Sequence, residues 1–304
     1  MRFRFAIALS ALAGLVLTVS GSARPPEPAK LLSSYRWQSD VAGFGGLSAL
    51  ELDAQGHAFH AISDRTLLLR GTLRRDGGVI IAVDLDKTQL LRTPKGGTLK
   101  GWKRDSEGLA QAQNGPLYVS FEAITKIWAY DDPMGLPKAL PPHPDFETMH
   151  GNAALEALAV DASGRLFTVP EVPPKGYDNL PVYRLSQGRW SVPFQITPSG
   201  GFDPVAADFG PDGAFYLLER KFGGIGFRCR VRRFDFANFD PEGEVLFASS
   251  LGQHDNLEGL SVWRDPAGQI RLTMVSDDNF KFFQRSEIVE YVLTETLAKP
   301  PATH

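Results

Sequence analysis

Asn256-Leu257-Glu258-Gly259-Leu260-Ser261, followed by Val275-Ser276-Asp277-Asp278-Asn279, is the stretch whose reading decides the fold. It holds an acidic residue, a short apolar run, a tight turn, a second apolar run and another acidic end. The same order recurs from Asp105-Ser106-Glu107-Gly108-Leu109 to Ser120-Phe121-Glu122, and from Leu155-Glu156-Ala157-Leu158 to Val169-Pro170-Glu171. Weaker copies run from Gly46-Leu47-Ser48 to Ser63-Asp64-Arg65, and from Ala206-Ala207-Asp208 to Glu219-Arg220. The turn glycines Gly56, Gly115, Gly164, Gly213 and Gly268 stand 59, 49, 49 and 55 residues apart. A period of that length built from strands points to an all-β chain folded as a β-propeller of five blades. The count becomes six if Asp84–Trp102 holds another blade.

Each unit reads as a hairpin, because two β-rich runs flank an Asp-x-x-Gly, Pro-Asp-Gly or Asn-Gly turn. Antiparallel pairing sets the start of the first strand beside the end of the second. The first strand of a blade lines the central channel, so the polar ends of all units should gather at one mouth. Glu107, Glu122, Glu156, Glu171, Glu219, Glu258, Asp64, Asp277 and Asp278 are expected there. Outer strands are expected at Leu67–Leu73 with Val79–Leu85, Ile124–Tyr130, Val182–Leu185 with Trp190–Ile196, and Val231–Phe236 with Glu244–Ala248. Leu31–Trp37 is placed to pair with the last blade and close the ring.

Outside the repeat, residues 1–23 read as a secretory leader, with Arg2 and Arg4, an apolar run and Gly21-Ser22-Ala23. Residues 24–30 are a Pro-rich tether, 31–293 the propeller, and 294–304 a loose tail. The expected location is therefore periplasmic or secreted. Nothing beyond the leader would hold the chain to a membrane, and the expected state is a monomer. A net charge of −3 gives no reason to expect nucleic acid. Cys229, the sole cysteine, sits in a strand-like alternation and reads as a packed thiol.

Three chemistries fail on the residues. No Gly-x-Ser-x-Gly elbow occurs, no Walker loop completes Gly223-Gly224-Ile225-Gly226, and the six histidines form no metal-ligand pair. The converging carboxylates remain. Like charges confined at one mouth are costly unless a hard cation joins them, basic partners neutralise them or some protonate. Oxygen-only donors favour calcium. The structural alternative is pairing with Arg65, Lys103, Arg104, Arg220, Lys221, Lys281 or Arg285.

The ordered motifs Gly46-Leu47-Ser48, Ser63-Asp64-Arg65, Ser106-Glu107-Gly108-Leu109, Leu155-Glu156-Ala157-Leu158, Leu257-Glu258-Gly259-Leu260 and Ser276-Asp277-Asp278-Asn279 resemble those of the bacterial phytase-like proteins, the family labelled esterase-like activity of phytase. The resemblance covers about Leu31 to Leu293. It implies a propeller, hydrolysis of a phosphomonoester, and calcium held at Glu107, Glu156, Glu258, Asp277 and Asp278. On that reading Glu122 or Glu171 takes the proton of an attacking water, and Arg65, Arg220 and Lys221 clamp the oxygens of a small anionic ester. Two other readings stand beside it: a lactonase-like propeller enzyme, and a non-catalytic propeller that binds a ligand or protein at the same mouth.

Overall fold

The computed structural model describes residues 27–112, 114–149 and 155–294. The leader expected over residues 1–23, residues 24–26 of the tether and the tail beyond Thr294 lie outside them. The described chain enters as β1 (Ala29–Arg36) and then builds sheets in sequence order. The first blade is β2 to β5: Leu47–Leu52, Ala58–Ser63, Leu67–Asp76 and Val79–Leu90. The second is β6 to β9: Ser106–Gln111, Leu117–Phe121, Lys126–Tyr130 and Lys138–Ala139. The third is β10 to β13: Ala157–Val160, Leu166–Val169, Leu180–Ser186 and Arg189–Ile196. The fourth is β14 to β17: Asp203–Phe209, Phe215–Phe222, Phe227–Phe234 and Glu244–Ala248. The fifth is β18 to β20: Asn256–Arg264, Ile270–Asp277 and Glu287–Leu293, with β1 as its outermost strand.

The described residues thus form a five-bladed propeller of four-stranded antiparallel sheets. Asp84–Trp102 holds no sixth blade: β5 runs on to Leu90, a lone Arg92–Thr98 bridge follows, and a short 3₁₀ turn spans Gly101–Arg104. β1 pairs with β20 from Ala29 opposite Leu293 to Arg36 opposite Glu287, so the last two tether residues belong to a strand.

The repeat has local causes. In the first, third and fifth blades the hairpin between the two inner strands opens on an Asp that caps its own turn. Asp53 Oδ1 accepts from the His57 amide at 2.7 Å, Asp161 Oδ1 from Arg165 at 2.9 Å and Asp265 Oδ1 from Gln269 at 2.9 Å. The turn then needs a residue of positive φ, and Gly56, Gly164, Gly213 and Gly268 provide it. Between consecutive blades lie five apolar cores. One joins Leu50, Phe59 and Leu69 of the first blade to Trp263, Val275 and Ile288 of the fifth, and each neighbouring pair has its counterpart.

Inner strands of neighbouring blades touch. A Cβ added at Gly259 would lie 2.8 Å from the Leu50 amide nitrogen, and one at Gly108 2.6 Å from the Glu156 carbonyl oxygen. This close approach explains why the residue after each motif Glu is Gly or Ala. Buried hydroxyls stitch the same seam: Ser48 Oγ donates to the Ser106 carbonyl and Ser106 Oγ to the Ser63 carbonyl, both at 2.6 Å.

Candidate functional site

A β-bulge near the start of the inner strand creates the site. Pairing slips between Leu47 and Ala49, Ser106 and Leu109, Pro204 and Ala206, and Leu257 and Gly259. An extra residue there re-aims side chains that regular alternation would send elsewhere. The residues in those slips are Ser48, Glu107 with Gly108, Val205 and Glu258. Glu156 stands just ahead of β10. Two residues before these positions come Asp105, Asp203 and Asn256, which start or precede their strands. From the second strands come Arg220 and Asp277, with Asp64 and Glu122 one residue beyond the ends of theirs and Glu171 two beyond Val169.

Two carboxylate triads result. Asp105, Glu107 and Glu122 offer oxygens within 4.8 Å of one another, and so do Glu122, Glu156 and Glu171, so Glu122 belongs to both. Burial and mutual repulsion dominate the electrostatics. Glu107 is held well above the ordinary carboxyl range by burial and then by Glu156 and Glu258. Glu156 is raised by burial and by Glu171, with Arg220 opposing. Burial pushes Glu258 up to about 8, Asp64 to about 7 and Asp277 to about 6.

Arg220 is the cation set among them. Its guanidinium bonds Glu258 Oε1, donates to Asn256 Oδ1 at 3.0 Å and lies 3.7 Å from Glu171. Asn256 Nδ2 adds a 2.6 Å bond to the same Glu258 oxygen. Glu258 is therefore the anchor of an arginine and stands outside both triads.

The remaining expected residues divide. Asp277 borders the recess, its Oδ1 accepting from Asn279 N at 2.6 Å. Asp278 is turned to loop architecture: its oxygens accept from Gly46 N (2.9 Å), Phe280 N (3.0 Å) and Ser286 Oγ (2.9 Å). Arg65 is exposed and stacks on Phe280, its guanidinium carbon 3.3 Å from the ring centroid. Lys221 points to the rim and donates to the Gly200 carbonyl at 2.8 Å. Glu219, expected at the mouth, is fully buried away from it between Arg230 and Arg232. Alternation along β15 sends it to the face opposite Arg220. The opening of the fourth unit also shifts. Its inner strand begins at Asp203-Pro204-Val205, while Asp208 lies at the far end, where its carboxylate accepts from Val262 N at 2.6 Å near Glu51. Cys229 is a packed thiol, raised to about 11 by burial.

Asp105 and Asn256 were not singled out by the sequence reading, although their signal was present. Each stands two residues before a motif Glu, a place visible only when units are aligned on the bulge.

The family model described as Phytase-like: Esterase-like activity of phytase matches residues 42–280. No curated protein matches the chain. Among solved structures, a PQQ-bound aldose sugar dehydrogenase from Streptomyces coelicolor is 13% identical over 88% of this chain and 99% of its own, with a TM-score of 0.46. A putative gluconolactonase is 14% identical over 89% and 97%, with a TM-score of 0.47. Virginiamycin B lyase from Staphylococcus aureus is 10% identical over 87% and 99%, with a TM-score of 0.43. Likeness at that level says nothing about chemistry.

Proposed function

Because the chain belongs to the phytase-like family described as esterase-like activity of phytase, we propose that it is a metal-assisted hydrolase of small anionic esters, phosphoesters foremost. The observation that carries this reading is the pair of triads sharing Glu122: five carboxylates gathered where one arginine is too little to neutralise them. The donor set is all oxygen, which fits a hard cation such as calcium and disfavours softer metals. Asp105, Glu107, Glu122, Glu156 and Glu171 would hold it. A cation bound there supplies charge for the ester oxygens and acidifies a water.

The rest is the protein's own work. Arg220, fixed by Glu258 and Asn256 and 3.7 Å from Glu171, is the cation placed to meet an anionic oxygen. Asp64, raised to about 7 beside Asp277, accepts a proton near neutral pH. Glu122 and Glu171 move from the role of base, assigned on sequence grounds, to that of ligand, since both stand inside the triads.

Purified chain stripped with chelator and assayed on p-nitrophenyl phosphate and p-nitrophenyl acetate tests the proposal. Hydrolysis restored by calcium, and lost in Glu122→Gln, supports it. No hydrolysis of either ester with any divalent cation overturns it and leaves a binding scaffold.

A further inference from the structure

Strand direction decides which loops share the mouth. In each blade the chain leaves the mouth along its first and third strands and returns along its second and fourth. The loops after the second strand and after the outermost strand therefore all lie on the mouth side. Three of these loops carry large apolar side chains in water. In the fifth blade the loop after β19 presents Phe282 at 99% and Phe283 at 68% exposure. In the fourth, the β15–β16 hairpin presents Phe222 at 62% and Ile225 at 92%. The connection leaving the first blade presents Trp102 at 70%. The three tips occupy one arc of consecutive blades, from the fourth through the fifth to the first.

Each tip is bracketed by cations with no carboxylate between. Lys281 and Arg285 enclose Phe282 and Phe283, Lys221 and Arg228 enclose Phe222 and Ile225, and Lys100, Lys103 and Arg104 surround Trp102. The hairpin turns of the opposite face mix the two signs instead, with Asp131 paired to Lys138, Asp161 to Arg165 and Asp265 to Arg271. The recess carboxylates lie behind the rim and are largely buried, so a large flat partner meets the rim cations first.

We infer that this arc is a docking surface for an anionic lipid bilayer, with the aromatic tips entering the headgroup region and the flanking Lys and Arg pairing with lipid phosphates. Aromatic side chains favour that interface, and basic residues near an anionic leaflet add attraction that salt weakens. Among the described residues no helix is long and apolar enough to cross a membrane; the contact inferred is one of loop tips with the lipid surface, the mouth facing it. This departs from the expectation, drawn from the linear sequence, that nothing beyond the leader holds the chain to a membrane: the tips are distant in the chain and only the blade order unites them. The surface stands whether or not the recess is catalytic.

Co-sedimentation of the mature chain with phosphatidylcholine–phosphatidylglycerol vesicles, against pure phosphatidylcholine vesicles, tests it. Binding is expected to the mixed vesicles only and should weaken steeply with salt. Each rim cation removed, as in Lys281→Gln or Lys103→Gln, should lower partitioning about fivefold. The double variant Phe282→Ser/Phe283→Ser should abolish it while leaving circular dichroism and melting unchanged, since both rings are exposed. Brominated lipid should quench the fluorescence of Trp102, and Trp102→Ser should remove that response. Absence of binding to mixed vesicles overturns the inference. So does binding that survives the double Phe variant, and so does self-association of the free chain that the same variant removes, which would assign the rim to a second copy.

Discussion

Glu219 and Glu156 are both buried carboxylates placed by neighbouring blades, yet the protein treats them oppositely. Glu219 is met by two guanidinium groups. Arg230 donates to its oxygens at 2.6 and 3.1 Å, and Arg232 at 2.8 and 2.6 Å. The outer edges of those arginines are satisfied by the carbonyls of Ser199, Thr197 and Glu242. Glu156 is surrounded by Glu171, Glu122 and Glu258, with Arg220 as the opposing cation. Burial is common to the two, so burial is not what marks the mouth. The marker is a deficit of positive charge that the fold leaves to something it does not encode.

The largest expected effect breaks the comparison at its structural end. Glu219→Gln strands two buried arginines, and losing one partner of a buried ionic cluster typically costs about 3–5 kcal/mol. Glu156→Gln removes a repelling charge and should leave metal-free stability within about 1 kcal/mol of wild type, or raise it. Urea unfolding in chelator measures both. Equal losses would mean that the mouth is as neutralised as the Glu219 cluster.

Activity comes next. Glu122 is common to both triads, so Glu122→Gln should lower calcium-stimulated hydrolysis about a hundredfold or more, whereas Glu219→Gln at temperatures where it stays folded should not. Adding Glu156→Gln to Glu122→Gln should cost little further, because the set acts as a unit. Multiplying losses would show independent roles.

The pH dependence sharpens the contrast at lower amplitude. Glu258, Asp64 and Asp277 have folded-state values of about 8, 7 and 6, above their unfolded values. Their stabilising contribution is therefore complete below about pH 4 and is lost as pH rises through 6 to 8. In chelator, melting temperature should fall over that window. Calcium should reverse the fall, since cation binding favours the ionised carboxylates and strengthens with pH. A chelated melting curve that rises across pH 6–8 would contradict the charge deficit.

The propeller was legible in the sequence because its signals are local. A Gly closes the inner turn at nearly constant spacing, in three blades after an Asp that opens it, and each motif Glu is followed by a small residue where inner strands touch. Most of the mouth was legible for the same reason: Glu107, Glu122, Glu156, Glu171 and Arg220 follow from hairpin geometry. What failed depends on the face of a strand or on pairing across it. Glu219 and Arg220 are adjacent in sequence and one alternation apart in space, and nothing local tells which of them faces the axis. Asp208 reads as a strand opening because the fourth unit carries Val205 where three others carry Glu. The separation of Glu258 from the triads was hidden too, since its partner Arg220 lies in another blade. Asp278 reads like a ligand beside Asp277, but its oxygens close a loop against Gly46.

The smallest expected effect concerns Arg220 itself, the mouth's partial answer to what Arg230 and Arg232 do completely. Replacing it by Gln leaves a hydrogen-bonding side chain but removes one positive charge facing Glu171, Glu156 and Glu258. A unit charge acting on a divalent cation some 8 Å away through a medium of effective dielectric about 40 is worth roughly 2 kcal/mol. Calcium should therefore bind Arg220→Gln about thirtyfold more tightly than wild type in a calorimetric titration. Turnover should nevertheless fall, because the guanidinium that would hold the substrate anion is gone. Tighter metal with weaker substrate binding would separate the two duties of the recess, cation-holding in the triads and anion-holding at Arg220. If calcium affinity instead falls, Arg220 does not oppose the cation but positions its ligands, and the charge deficit at the mouth is smaller than its carboxylates imply.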